Sequence, residues 1–88
     1  MQFQTGMIVR SRKGHDKGQF YVVTQISHGF VFVTDAAGRS LIHPKKKNPI
    51  HLAPTKTVLD MKPMPSDSEI RRLLSAFYDR VSLPKEVL

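Results

Sequence analysis

Short apolar runs alternate with turn-forming segments through the first two thirds of the chain. The runs are rich in Val, Ile, Phe and Tyr, which favour β-strands, and they are separated by KGHDKG, SHG, DAAG and PKKKNP. Glycine supplies positive φ in such separators and proline fixes φ near −65°. The pattern predicts five strands, at residues 7–10, 20–26, 30–34, 39–43 and 50–53.

Five short strands at a spacing of about ten residues predict a mainly β fold, a small closed β-barrel. Pro44 and Pro49 cannot donate to a β-ladder, so PKKKNP is predicted to be a loop or an edge with its three lysines in water. After Ala53 the chain is rich in proline and is predicted to be a connector, in which only residues 57–61 could add a strand.

A helix is predicted near the C-terminus, at about residues 67–81. Ser66 and Glu69 have the spacing of a capping box, and Pro84 ends the pattern. The apolar residues fall at helical spacing on one face. This stripe is predicted to pack on the open side or end of the barrel, with a groove-binding helix for another protein as the alternative. Its members are Ile70, Leu73, Leu74, Phe77 and Val81.

The size of the chain bounds its organisation. Eighty-eight residues with 40% hydrophobic content fit one small domain. The prediction is a barrel at residues 1–62, followed by a connector and helix at 63–88 in the same compact unit. The chain has no cysteine, and no apolar run approaches the roughly 20 residues of a membrane span, so a cytoplasmic location without a membrane partner is predicted.

Basic residues are concentrated in the first part of the chain. Ten basic residues accompany three acidic ones up to Lys62, whereas four of each follow from Pro63 onward. Such asymmetry indicates a polyanionic partner, with nucleic acid ahead of an anionic membrane surface. The alternative is a basic face that serves solubility alone.

The turn within GMIVRSRKGHDKGQFYVV carries a more specific signal. Two glycines bring backbone N–H groups to the surface without a Cβ in the way, and basic residues surround them. The order of residues resembles the KOW motif of ribosomal proteins and of NusG-class transcription elongation factors, over residues 6–32. The residues that carry the resemblance are Gly6, Ile8, Val9, Gly14, Lys17, Gly18, Val22 and Val23.

The following segment, DAAGRSLIHPKKKNPIHLAPT, extends the similarity to about residue 58. Together they resemble the small bacterial KOW-domain RNA-binding proteins, relatives of large-subunit ribosomal proteins of archaea and eukaryotes. The resemblance implies an SH3-like barrel of five or six strands whose KOW loop contacts RNA, usually ribosomal RNA. The predicted helix is not part of this resemblance.

An RNA-binding surface is therefore predicted at the basic loops. Asp16 is expected to accept hydrogen bonds from nearby backbone amides rather than to touch RNA. If about six bases neutralise phosphates, the logarithm of affinity falls with that of salt with a slope of roughly −4 to −5. Tyr21 is the candidate for stacking on a base, ahead of Phe30 and Phe32. The predicted RNA-binding residues are Arg12, Lys13, Gly14, His15, Lys17, Gly18, Arg39, Lys45, Lys46 and Lys47.

Other functions are less well supported by the sequence. The four histidines match no familiar metal-ligand spacing, and no nucleophile or carboxylate pair has catalytic spacing, so no metal, cofactor, small-molecule substrate or enzymatic activity is predicted. Two rival hypotheses remain open. One is a module that binds ribosomal proteins or the transcription machinery through the barrel and helix face, and the other is binding to duplex DNA.

Overall fold

The computed structural model describes residues 2–36 and 43–82, with side chains up to Tyr78. The fold is mainly β, with one five-stranded antiparallel sheet and one C-terminal helix. A one-turn 3₁₀ helix, Pro49–His51, lies between the last two strands. The strands are β1 Met7–Ser11, β2 Phe20–Ser27, β3 Phe30–Thr34, β4 Lys45–Lys47 and β5 Leu52–Val58, and the helix is α1 Asp67–Ser82.

The strand order in the sheet is β4-β3-β2-β1-β5, so β4 and β5 are its edges. In the register, Val9 of β1 lies opposite Tyr21 on one side and Pro54 on the other. Pro54 is tolerated because an edge strand has a partner on only one of its two hydrogen-bonding sides.

The sheet buries both of its faces at β1 and β2. Because side chains alternate along a strand, Met7 and Val9 point to one face and Ile8 to the other. The first face forms a core with residues of β2, β3 and β5, including Val23, Val33 and Leu52. Burial on both faces explains why the sequence of these strands is continuously apolar rather than alternating.

The helix covers the second face. Ile70, Leu74 and Phe77 are buried against Ile8 and Val22. At its C-terminal half, the Phe77 and Tyr78 rings pack edge-on against Phe20, with centroids 4.9 and 5.0 Å apart. The Phe20 N–H also donates a hydrogen bond of 2.7 Å to the Tyr78 hydroxyl. Three residues of the predicted stripe, Ile70, Leu74 and Phe77, are thus core, packed on one face of the β1–β2 pair. Leu73 is partly buried, and the Val81 side chain lies outside the described side chains.

The Ser66 half of the predicted capping box is present at the start of α1, whereas the Glu69 carboxylate lies 3.7 Å from Arg72. The Ser66 hydroxyl accepts a hydrogen bond of 3.1 Å from the Glu69 N–H, and its carbonyl accepts one from Ile70. The observed start at Asp67 and end at Ser82 match the predicted 67–81 within one residue.

Two strand predictions in the second half of the chain need correction. Of the strand predicted at 50–53, residues 50 and 51 belong to the 3₁₀ turn that begins at Pro49, and only Leu52 and Ala53 are in a strand. The connector begins later than predicted, because β5 continues through Pro54 to Val58, and residues 59–66 then link it to the helix. Of the predicted strand at 39–43, residues 39–42 lie outside the described residues, and His43 is in a bend.

Within the described residues, no helix combines the length and apolar character that a membrane span requires.

Candidate nucleic-acid interface

The turn between β1 and β2 is closed by its own backbone. Gly18 N–H donates to the Ser11 carbonyl at 2.8 Å, and Ser11 N–H donates to the Gln19 carbonyl at 2.9 Å. Gly14 and Gly18 have φ of +94° and +91°, a region that side chains rarely adopt. The two glycines therefore let the chain reverse within a few residues and leave the basic residues between them in water.

The Asp16 carboxylate lies inside this turn and binds four side chains, which together form the Asp16 cluster. It accepts hydrogen bonds from the Tyr21 hydroxyl at 2.6 Å and from the Ser11 hydroxyl at 2.8 Å. It also lies 3.1 Å from both the Lys45 and Lys47 ammonium nitrogens. One turn residue thus connects β1, β2 and β4.

The cluster strongly perturbs two ionisable groups. Burial by itself would raise the pKa of Asp16, but the hydrogen bonds from Tyr21, Ser11, Lys45 and Lys47 outweigh it and hold that pKa well below its ordinary value. Burial and the bond to the Asp16 carboxylate raise the pKa of the Tyr21 hydroxyl far above its ordinary value. Both groups therefore keep the protonation states that their hydrogen bond requires over the whole neutral range.

These contacts correct three expectations. Asp16 binds side chains rather than backbone amides, because the turn points its carboxylate toward β4. Lys47 is not in water: its side chain is only 10% exposed, and Lys45 is 34% exposed. Tyr21 is 3% exposed, so its ring is part of the core and presents no face on which a base could stack.

A group of exposed basic residues lies instead around the end of β1. Arg10, Arg12 and Lys17 line an open groove of ≈ 360 Å³ together with Ser11 and Ala53. This is the basic groove, and no carboxylate is among its lining residues in the part of the chain described. Lys13 and His15 are exposed in the same turn, as Gly14 is, while Gly18 is partly exposed.

Arg10 was not among the predicted site residues. It is the one exposed position in β1, whose other four residues are buried. An arginine that interrupts a run buried on both faces is a signal that the sequence does contain, because such a strand has no room for a charge inside. Arg10 therefore joins Arg12 and Lys17, two of the predicted site residues, in the basic groove.

Lys46 belongs to a different part of the surface. It lies opposite Phe32 in the β3–β4 ladder, and its ammonium nitrogen is 4.6 Å from the centroid of the Phe30 ring. Of the three lysines in PKKKNP, Lys46 is the exposed one, as was expected for all three. The predicted contact residue Arg39 lies outside the described residues.

A second groove adjoins the basic groove. It is open, has a volume of ≈ 580 Å³ and is lined mainly by apolar residues. This is the apolar groove, and Arg12 is common to both grooves. Its lining residues are Gln2, Phe3, Arg12, Pro49, Ile50, Leu52 and Pro54.

Comparison with known proteins gives no assignment, since the chain matches no protein-family model and no curated protein. Among the described residues, no group of three or more His, Asp or Glu side chains is placed to hold a metal ion.

Proposed function

We propose that this protein binds structured RNA through the basic groove and is a ribosomal or ribosome-associated protein of the KOW type. The observation that carries the proposal is the basic groove itself, in which Arg10, Arg12 and Lys17 lie together and no carboxylate is among the described lining residues. The nearest acid in the turn, Asp16, is occupied by Lys45 and Lys47. The cations of the groove are therefore available to a polyanion.

The proposal includes an SH3-like barrel. Two strands separate β4 from β1 in the sheet, which would place them about 14 Å apart if the sheet were flat. Yet the Lys47 ammonium is 3.2 Å from the Ser11 hydroxyl at the end of β1. Only four residues join β4 to β5, the two edges of the sheet. A strongly curved sheet of this kind supports a barrel, as the resemblance to KOW domains implies.

The mechanism is electrostatic. The guanidinium groups of Arg10 and Arg12 can each donate two hydrogen bonds to a phosphate, and Lys17 adds a point charge. Such contacts position the protein on an RNA backbone and carry no sequence information by themselves. The Asp16 cluster contributes indirectly, because it fixes the turn from which Arg12 and Lys17 project.

The rival hypothesis, a protein-binding module that uses the helix face, has less support. Its docking surface combines the barrel with the apolar stripe of α1, and Ile70, Leu74 and Phe77 of that stripe are buried against the sheet. A buried stripe cannot also receive a partner while the helix stays in place.

A charge-reversal experiment tests the proposal. Arg12→Glu with Lys17→Glu reverses two charges in the basic groove, whereas Lys56→Glu with Lys62→Glu reverses two exposed charges outside it. Because both double variants change the net charge equally, only the location of the charge differs between them. Fluorescence anisotropy with a fragment of ribosomal RNA should show at least about tenfold weaker binding for the groove variant than for the control.

Equal losses in the two variants would show that the groove is not the binding site. The same titration with duplex DNA of matched length at matched salt tests the DNA-binding alternative, which predicts the tighter complex with DNA. Sedimentation of cell extracts on a gradient, before and after a high-salt wash, tests association with the ribosome. The proposal predicts that the protein sediments with ribosomal particles at low salt and leaves them after the wash.

A further inference from the structure

The apolar groove lies directly beside the basic groove that is proposed to bind phosphates. Ile50 is 70% exposed, the most exposed large apolar side chain among the described residues, and Pro54 beside it is also exposed. Arg12 lines both grooves, so a ligand in one can continue into the other. A ligand that fits this surface carries a negative charge next to a flat apolar group.

Hydrogen bonds fix the backbone on one side of the apolar groove. The Asn48 side chain accepts a hydrogen bond of 3.1 Å from the Ile50 N–H, and the His51 N–H donates to the Asn48 carbonyl at 2.9 Å. The His51 carbonyl in turn accepts a hydrogen bond of 2.8 Å from the Arg12 N–H. Ile50 and the backbone of Arg12 are thus fixed relative to each other, which lowers the entropic cost of binding a ligand between them.

We propose that the apolar groove binds the base of an unpaired nucleotide whose phosphate lies in the basic groove. This inference rests on the proposed function and narrows its substrate to RNA that presents unpaired nucleotides. In a duplex the bases are stacked inside and only phosphates and base edges reach a protein surface. A splayed base, by contrast, can stack on the Arg12 guanidinium and cover Ile50 and Pro54.

The test compares two single strands of equal length and charge that differ only in their bases, with an RNA duplex as a third probe. The probes are a short oligouridylate, an abasic ribose-phosphate oligomer and an RNA duplex, each titrated by fluorescence anisotropy. The wild-type protein should bind the oligouridylate at least about fivefold more tightly than the abasic oligomer. Ile50→Ala should remove most of that difference and leave affinity for the abasic oligomer and the duplex unchanged.

Two further variants make the result specific. Arg12→Lys keeps the charge but loses the planar group, so it should also reduce the preference for the oligouridylate over the abasic oligomer. Val58→Ala is the matched control, because Val58 is likewise a partly exposed β-branched residue, 43% exposed at the other end of β5. It should leave all three affinities unchanged. Since Ile50 and Val58 are exposed, thermal unfolding should show both variants folded.

The outcomes separate this inference from the proposed function. Equal affinity for the oligouridylate and the abasic oligomer, or an unchanged preference in Ile50→Ala, overturns the base site. If all probes still bind in a salt-sensitive way, the proposed function stands. No binding of any RNA at low salt overturns both. Binding to phosphatidylglycerol vesicles that depends on Ile50, without a preference between the two oligomers, assigns the groove to a membrane surface and overturns the inference.

Discussion

The Asp16 carboxylate accepts hydrogen bonds from Ser11 and Tyr21 and pairs with Lys45 and Lys47, so three strands meet at one turn residue. The sequence predicts the turn from its glycines, whose φ requirement is local. It does not predict the cluster, because the two lysines lie 29 and 31 residues further along the chain. Which of several exposed-looking lysines meets a given acid is decided by the curvature of the sheet.

Replacement of Asp16 by Asn should be strongly destabilising. The change leaves Lys47, whose side chain is 10% exposed, without a counter-charge. Loss of one partner of a buried ion pair costs about 3 kcal/mol of unfolding free energy. Urea denaturation of Asp16→Asn should show this loss, whereas Asp60→Asn, at an exposed aspartate, should stay within about 0.5 kcal/mol of the wild type. Equal stability of the two variants would contradict the assigned role of the cluster.

The pH dependence of stability follows from the same cluster. Because the folded pKa of Asp16 lies below its ordinary value of 3.8, its contribution is complete above that value and is lost as the pH falls below it. The unfolding free energy should therefore decrease below about pH 4, and less steeply in Asp16→Asn than in the wild type. Denaturant titrations from pH 5 to 2 measure how steeply the unfolding free energy of each protein falls. Identical slopes would show that Asp16 is not the main source of the acid destabilisation.

The Tyr21 hydroxyl should make the stability depend on pH at the alkaline end of the range. Its folded pKa is raised above the ordinary value of 10.0, so its contribution is present below that value and is lost as the pH rises above it. The wild type should lose stability above about pH 10, and Tyr21→Phe should flatten this alkaline limb. If the unfolding free energy of Tyr21→Phe falls as steeply above about pH 10 as that of the wild type, other groups cause the alkaline destabilisation.

Two glycines with similar backbone conformation should respond differently to alanine. Gly6 and Gly18 have φ of +92° and +91°, but a Cβ on Gly6 would lie 2.3 Å from the Leu59 carbonyl oxygen, whereas one on Gly18 would meet nothing within 4 Å. Gly18→Ala should cost about 1 kcal/mol from φ alone, and Gly6→Ala more than about 3 kcal/mol. Chemical denaturation of both variants measures the two losses of unfolding free energy. A larger loss in Gly18→Ala than in Gly6→Ala would contradict the prediction.

At the level of elements, the predictions succeed where the signal is local. Strands β1 to β3 and the helix follow from apolar runs, turn glycines and the Ser66 cap. Strands β4 and β5 follow only in part, because β4 consists of three lysines, predicted as a loop or an edge, and Pro54 interrupts the pattern of β5. Both are edge strands, in which pairing with one neighbour overrides the low β-propensity of Lys and Pro.

Truncation of the helix stripe should destabilise the whole fold, because α1 covers the second core. Ile70 is fully buried against residues of β1 and β2. Ile70→Ala should lower the unfolding free energy by about 3 kcal/mol, through lost burial and the cavity left behind. Met64→Ala, at a residue 60% exposed before the helix, is the control and should change little. A loss below about 1 kcal/mol in Ile70→Ala would mean that the helix does not pack firmly on the sheet.

At the scale of the whole molecule, the charge asymmetry predicts a polyanionic partner, and the structure reduces the number of described cations that are placed to contact it. The sequence suggests about six contacting bases, whereas the structure withdraws Lys45 and Lys47 into the Asp16 cluster and places Lys46 on a different surface. Among the described residues, the cations that remain around the basic groove are Arg10, Arg12, Lys13 and Lys17. Four phosphate contacts give a slope of about −3 in the plot of log affinity against log salt.

That slope is the most direct test of the account. The affinity of the wild type for a ribosomal RNA fragment should fall with salt with a slope of about −3, and Arg12→Ala with Lys17→Ala should reduce its magnitude by about 1.5. An unchanged slope in this double variant, or binding that does not respond to salt, would contradict the claim that the exposed cations of the basic groove bind the RNA backbone.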